Sequence, residues 1–134
     1  MRRHRSYQLQ QLQERTLMSR RYMRTFMRFA DVWGMSSQEV SQLLGLTGLH
    51  TMAGWKSSWQ DLVLTEPQLE KVSYLLAINK LLMNRYDSDQ VLQKWLRTKN
   101  DYPLFLDKTP LECFIDSGAH QLSAISEWML EKWG

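Results

Sequence analysis

The chain has 134 residues, 43% of them apolar, which suffices for one compact domain or for two small helical units sharing a core. It has no run of about 18 uninterrupted apolar residues, so no membrane-spanning helix is expected. Nor is a secretory signal expected, because the opening arginines lead into "SYQLQQLQER".

The single cysteine, Cys113, cannot form an internal disulfide, so a reducing compartment is expected. The net charge of +3 conceals an asymmetry. Residues 1–28 hold eight arginines (Arg2, Arg3, Arg5, Arg15, Arg20, Arg21, Arg24, Arg28) against Glu14, a charge of +7, which leaves −4 for residues 29–134. Such a face suits a polyanion, of which nucleic acid is the commonest. A solvated helix face, a transit peptide and a membrane-surface helix are the competing readings. The last two are disfavoured because the stripe runs without a break into the folded region.

The pattern is helical nearly throughout. Residues 1–15 are polar and glutamine-rich, a basic extension that reads either as helix or as a frayed arm. Met18, Tyr22, Phe26, Phe29 and Trp33 then recur at helical spacing as one apolar stripe, ending at Gly34. Ser36 followed by Glu39 is a capping box that opens a short helix with Val40, Leu43 and Leu44 inward and Gly45 as its stop. Thr47 caps a second short helix to about Trp55, so residues 16–60 follow a helix-turn-helix plan.

"SSWQDLVLTEP" leads into a longer helix capped by Thr65, with Pro67 in its first turn and Leu69, Val72, Leu75, Leu76, Leu82 and Met83 as its inner face. Ser88 caps the next helix, with Val91, Leu92, Trp95 and Leu96, and its neighbours Asp87 and Asp89 read as cap-region acids. A loop, "RTKNDYPLFLDKTP", precedes a helix capped by Thr109 and opened by Pro110. After Gly118 a last amphipathic helix carries Leu122, Ile125, Met129 and Trp133. The expected fold is all-α: a basic extension (1–15), a helix-turn-helix region (16–60) and a small helical domain (65–134).

Chemistry is sparse. His4, His50 and His120 have no partner at metal-ligand spacing. Cys113 beside Phe114 and Ile115 reads as a small core residue, and neither a phosphate loop nor a nucleophile elbow occurs. The expectation is a binding protein without enzymatic activity, metal or cofactor.

The C-terminal half carries a family resemblance. "LEKVSYLLAINKLL", Trp95-Leu96, Asn100, Pro103-Leu104-Phe105, Thr109-Pro110-Leu111-Glu112 and a final helix ending in tryptophan follow in that order behind the helix-turn-helix. From near Phe29 onward the chain resembles the Xre-type antitoxins with an MbcA/ParS-like toxin-binding domain, those of the RES–Xre toxin–antitoxin family. The resemblance implies a dimeric antitoxin without catalytic activity. It would occlude an adjacently encoded, NAD-depleting RES toxin through its C-terminal part and repress its own operon through the helix-turn-helix. The toxin-facing residues so implied are Asn100, Pro103, Leu104, Phe105, Trp128, Glu131, Lys132, Trp133 and Gly134.

Physical reasoning bears on the same residues. Tyr102, Pro103, Leu104 and Phe105 put apolar surface in a loop, which either plugs the chain's own core or meets a partner. Trp128 and Trp133 are strong interface anchors. They lie about 140° apart on a helical wheel, so Trp133 is expected to face the core and Trp128 a partner. Two departures stand out: Leu106-Asp107 replaces a small or glycine-bearing step, and Glu127-Trp128-Met129-Leu130-Glu131 replaces an arginine-led stretch. On the resemblance, Glu131 is expected to pair with a basic NAD-phosphate site of the toxin.

The presumed reading helix offers Leu49, His50, Thr51, Ala53, Gly54, Trp55 and Lys56, without the arginine, asparagine or glutamine that direct base readout wants. Thr47, His50, Thr51 and Lys56 suit phosphates, which position a protein but carry no sequence information. The helix-turn-helix therefore reads as a weakened reader. Its DNA affinity is expected to lean on Arg2, Arg3 and Arg5 and to fall steeply with salt. Two other functions compete with the antitoxin reading. One is a stand-alone helix-turn-helix regulator whose C-terminal half serves dimerisation, and the other is a nucleic-acid or membrane adaptor that uses the basic extension.

Overall fold

The computed structural model describes residues 2–46 and 59–133, with side chains from Ser6 onward. Thr47, His50, Thr51, Lys56 and Gly134, and with them the expected second helix to about Trp55, lie outside the described residues. The described part is all-α: α1 (Arg2–Val32), α2 (Ser37–Leu44), α3 (Glu66–Arg85), α4 (Asp89–Leu96), α5 (Pro110–Asp116) and α6 (Ala119–Trp133). Short 3-10 turns at Trp59–Asp61 and Pro103–Phe105 complete it, and no strand occurs among the described residues.

Local chemistry fixes the boundaries. Both expected glycines end their helices in the left-handed region, Gly34 at φ 70° and Gly45 at φ 68°. Each sits in a reverse-turn cap: Met35 N–H returns to the Ala30 carbonyl at 3.0 Å, and Leu46 N–H to that of Ser41 at 2.9 Å. Gly34 is constrained twice, since a Cβ there would lie 3.0 Å from the Gln93 side chain. Ser36 and Glu39 form the reciprocal capping box. Thr65 forms another with Gln68, while Ser88 and Thr109 cap α4 and α5 through their hydroxyls.

α3 is the centre, with α6 packed along it and α1 on another side. Its buried line is Leu69, Val72, Leu75, Ile78 and Leu82. Two expected inner residues depart from this line: Leu76 is half-buried and Met83 exposed, with Ile78 inward instead. Residues 69, 72, 75, 78 and 82 span about 180° of the helix, a broad face that suits neighbours on two sides.

α1 keeps Phe26, Phe29 and Trp33 of its expected stripe, with Tyr22 half-buried, and departs from it at Met18. Met23, Phe26, Phe29, Ala30 and Trp33 are buried, whereas Met18 is 41% exposed. The cause is the connector after Asp61. Leu62 and Leu64 are buried, and the Leu64 N–H donates to Ser19 Oγ at 2.9 Å, so the Ser19 side of α1 is covered and the Met18 side left open. In α4, Leu92 and Leu96 are buried while Val91 faces outward.

The extension resolves as helix, since α1 begins at Arg2, and every side chain from Ser6 to Glu14 is exposed. A single hydrophobic cluster runs from Met23 to Met129, so α1 and α2 share one core with the helices that follow them. Trp33, fully buried, joins them: its indole N–H donates to Asn79 Oδ1 at 2.9 Å, and its ring lies 5.8 Å from Phe114. That hydrogen bond avoids the roughly 1–3 kcal/mol penalty of an unpaired buried donor.

Candidate functional site

The residues carrying the resemblance converge on one aromatic cluster. Phe105 sits at its middle, fully buried, with ring centroids of Trp95 at 6.0 Å, Phe114 at 6.1 Å, Tyr102 at 6.2 Å and Trp128 at 6.4 Å. The loop is built to deliver it. Asn100 Oδ1 accepts from the Tyr102 N–H at 3.0 Å, Pro103 opens a 3-10 turn, and Lys108 N–H closes onto the Phe105 carbonyl at 2.9 Å.

Phe105 is therefore a plug for its own core, which corrects its assignment as a toxin contact: no part of its ring reaches the surface. Pro103 is exposed and Leu104 half-buried, so those two stay available to a partner. Asn100 is half-buried, and its Nδ2 is buried without a hydrogen-bond partner among the described residues.

The step after Phe105 is strained. Leu106 at φ 53° and Asp107 at φ 64° are both left-handed without being glycine. Such geometry costs an L-residue on the order of 1–2 kcal/mol. It leaves the Leu106 side chain 64% exposed, an apolar group held out in water.

The expected division of labour between the two tryptophans is not what the packing gives. Both are half-buried and bracket the cluster. Trp128 lies edge-on to Tyr102 at 4.6 Å. Trp133 packs on Trp95 at 5.3 Å and on Tyr86 at 6.3 Å, with the Arg85 guanidinium over its ring at 4.7 Å. Their separation around the helix lets one flank of the cluster take each ring. Glu127, Leu130, Glu131 and Lys132 are exposed on α6. Sequence reasoning missed Leu106 and Leu130 as exposed apolar groups. The only signal for them was negative: neither falls on a helical core stripe.

No hydrolytic or redox constellation accompanies this surface. Among the described residues no three His, Cys, Asp or Glu side chains are grouped to hold a metal ion. Cys113 is buried, its thiol near Ser117 Oγ at 3.7 Å and the Leu104 carbonyl at 3.8 Å, and burial pushes its pKa up, so a thiolate is disfavoured. Lys108 pairs with Asp116 at 2.8 Å on the surface. A groove of about 350 Å³ between α1 and α3 brings Glu14, Arg15, Glu66 and Glu70 together around Met18 and Tyr22.

The expected DNA contacts are less well placed for description, because the side chains of Arg2, Arg3 and Arg5 lie outside the described residues, as do Thr47, His50, Thr51 and Lys56. The capping box that opens α2 is tied to the C-terminal region. Arg97 makes a two-toothed contact with Glu39, both bonds at 2.9 Å, and donates to the Gly34 carbonyl at 2.8 Å. The bond from Arg97 holds the Glu39 carboxyl below its ordinary value. Gln93 adds a bond to the Val32 carbonyl at 2.8 Å.

Comparison with known proteins adds one relative. Over 80 residues the chain is 30% identical to the uncharacterized protein y4oB of Sinorhizobium fredii, a match covering 60% of each. The chain thus spans about three-fifths of the length of the curated relative it matches, whose name assigns no activity. No family model and no solved structure matches the sequence. Among the described residues no helix is long and apolar enough to cross a membrane.

Proposed function

We propose that this protein is the antitoxin of a type II toxin–antitoxin pair, binding and occluding a RES-type NAD-degrading toxin through its C-terminal region. It acts by contact alone, without catalysis or cofactor, in the bacterial cytoplasm, and a homodimer is its working unit. Operator binding through the helix-turn-helix is its second role.

The observation that carries this reading is the exposed rim of the aromatic cluster. The resemblance-bearing residues pack as one unit; around it Tyr102, Pro103 and Leu106 stand exposed with half-buried Leu104 and Trp128, and Leu130 is exposed on α6 one turn before Trp133. Large apolar groups around aromatic anchors are what a protein partner's pocket takes up. Glu127 and Glu131 beside them suit a basic pocket such as one that holds NAD phosphates.

The test is NAD turnover by the product of the neighbouring gene, alone and with this protein added. Stoichiometric suppression is expected, and it is lost in a Leu106→Asp/Leu130→Asp variant whose thermal unfolding matches the parent. A neighbour that consumes no NAD, or full suppression by that variant, would refute the proposal.

A further inference from the structure

A second surface lies on α1, away from the aromatic cluster. Arg20, Arg21, Arg24 and Arg28 are all exposed. At about 100° per residue they fall within one sector of about 100°, on the side of the helix turned from Met23, Phe26 and Trp33. From Arg15 to Ala30 the helix carries no acid, and none of these four arginines has an ion pair among the described residues. Arg20, Arg24 and Arg28, at successive steps of four, line one wall of a groove of about 530 Å³. Trp59, Gln60 and Asp61 line the other, directly after the segment expected to read DNA.

We propose that this arginine face binds the sugar–phosphate backbone of duplex nucleic acid. From Arg20 to Arg28 is about 12 Å of helix, and a duplex presents roughly seven phosphates over that length at about 1.7 Å per charge. Guanidinium groups suit phosphate oxygens because their planar donors bond two at a time. A lipid surface fits less well. A helix lying in a membrane interface sinks its apolar face into the lipid; along the arginine-bearing stretch that face, Met23 to Trp33, is taken up by the core, and the exposed Leu9, Leu12 and Leu17 lie nearer the start of α1. The inference moves the grip on the polyanion from Arg2, Arg3 and Arg5 to the part of α1 that is braced by the fold. It needs no toxin, so it stands or falls apart from the antitoxin reading.

The experiment is fluorescence anisotropy of a short random-sequence duplex against the full chain, from about 50 to 200 mM salt. Four phosphate contacts predict a slope of log affinity on log salt of about −3.6, a weakening of about 150-fold across that range. In an Arg20→Gln/Arg24→Gln/Arg28→Gln variant the slope should shrink by about 2.7, and in Arg24→Gln alone by about 0.9. These side chains are exposed, so the melting curves should overlay. The proposal is overturned if the parent binds no duplex at the lowest salt, or if the triple variant keeps the parental slope. It is also overturned if the triple variant loses binding to phosphatidylserine vesicles while its duplex binding survives.

Discussion

Phe105→Ala separates a core plug from a partner contact. The parent ring is fully buried among Trp95, Tyr102, Phe114 and Trp128. Its truncation removes the transfer free energy of a phenyl group and leaves a cavity between rigid rings, together worth about 3–5 kcal/mol. For 134 residues the unfolding entropy is about 0.28 kcal/mol/K, so the melting temperature should fall by about 10–18 °C. Against a total stability of about 5–15 kcal/mol the variant remains folded at room temperature only if the parent lies above the low end of that range. The assay is a melt followed by far-UV circular dichroism, with urea unfolding to check that the denaturant slope is unchanged. Neutralisation measured well below the variant's melting temperature should be weakened only in proportion to the folded fraction. A Phe105→Ala protein that melts within about 2 °C of the parent would refute the plug assignment, since that range belongs to exposed positions. If it also lost neutralisation, Phe105 would be a contact after all.

Leu106→Gly should do the reverse while weakening neutralisation: relieving about 1–2 kcal/mol of left-handed strain, less about 0.5–1 kcal/mol for glycine's added freedom in the unfolded chain, raises the melting temperature by up to about 5 °C; a lower melting temperature would contradict the strain argument. Glu39→Gln should lower it by about 1–3 °C at neutral pH, the worth of a half-exposed ion pair. Because Arg97 holds the Glu39 carboxyl below 4.5, that stabilisation is complete above this value and lost as pH falls through the folded value. Parent and variant melts should therefore converge in acid, and a constant gap down to the most acid conditions would count against the pair. Lys71 donates to the Ile115 carbonyl at 2.9 Å, and burial lowers its pKa from 10.5 to about 8, with Asp116 opposing. Between those values the unfolded chain binds more protons, so parental stability should rise with pH there. Lys71→Met should flatten the rise, and parallel curves would show that the ammonium pays no burial penalty.

Helix ends were legible because their signals are chemical and local. Ser36 with Glu39, Thr65, Ser88, Thr109, Gly34 and Gly45 all act as their residue types suggest. Registers were legible only in part. Met18 and Met23 lie about 140° apart around α1, and Leu76 and Ile78 about 160° apart around α3, so apolar residues bracket each helix widely and the choice is made by what packs there. For α1 the deciding partner is the connector, through the bond from Leu64 to Ser19. No periodicity on α1 could announce it. Phe105 was ambiguous for a different reason. An apolar residue in a loop has no helical phase, so nothing along the chain says whether it turns in or out. The left-handed pair after it was visible as an anomaly, since Leu106-Asp107 stands where the family resemblance leads one to expect glycine.

The shared core decides how the two candidate surfaces can be told apart. The connector at 60–65, where sequence reasoning put a boundary, places Leu62 and Leu64 in the core against α1. Residues 65–134 alone would bare the faces of α3 and α5 that Phe29 and Trp33 cover, so truncation tests folding before it tests function. Arg97 and Gln93 of the C-terminal region grip the Val32–Glu39 corner at which α2 starts. A partner seated on the aromatic rim thus touches the same small body that sets that corner. Substitutions confined to exposed side chains leave this core and corner alone. Leu106 and Leu130 at the rim, and Arg20, Arg24 and Arg28 on α1, can therefore be changed separately. If the two surfaces serve separate partners, the rim variant should lose neutralisation and keep its duplex salt slope, and the arginine variant the converse. Joint loss of both activities at intact melting temperature would mean that one partner spans both surfaces.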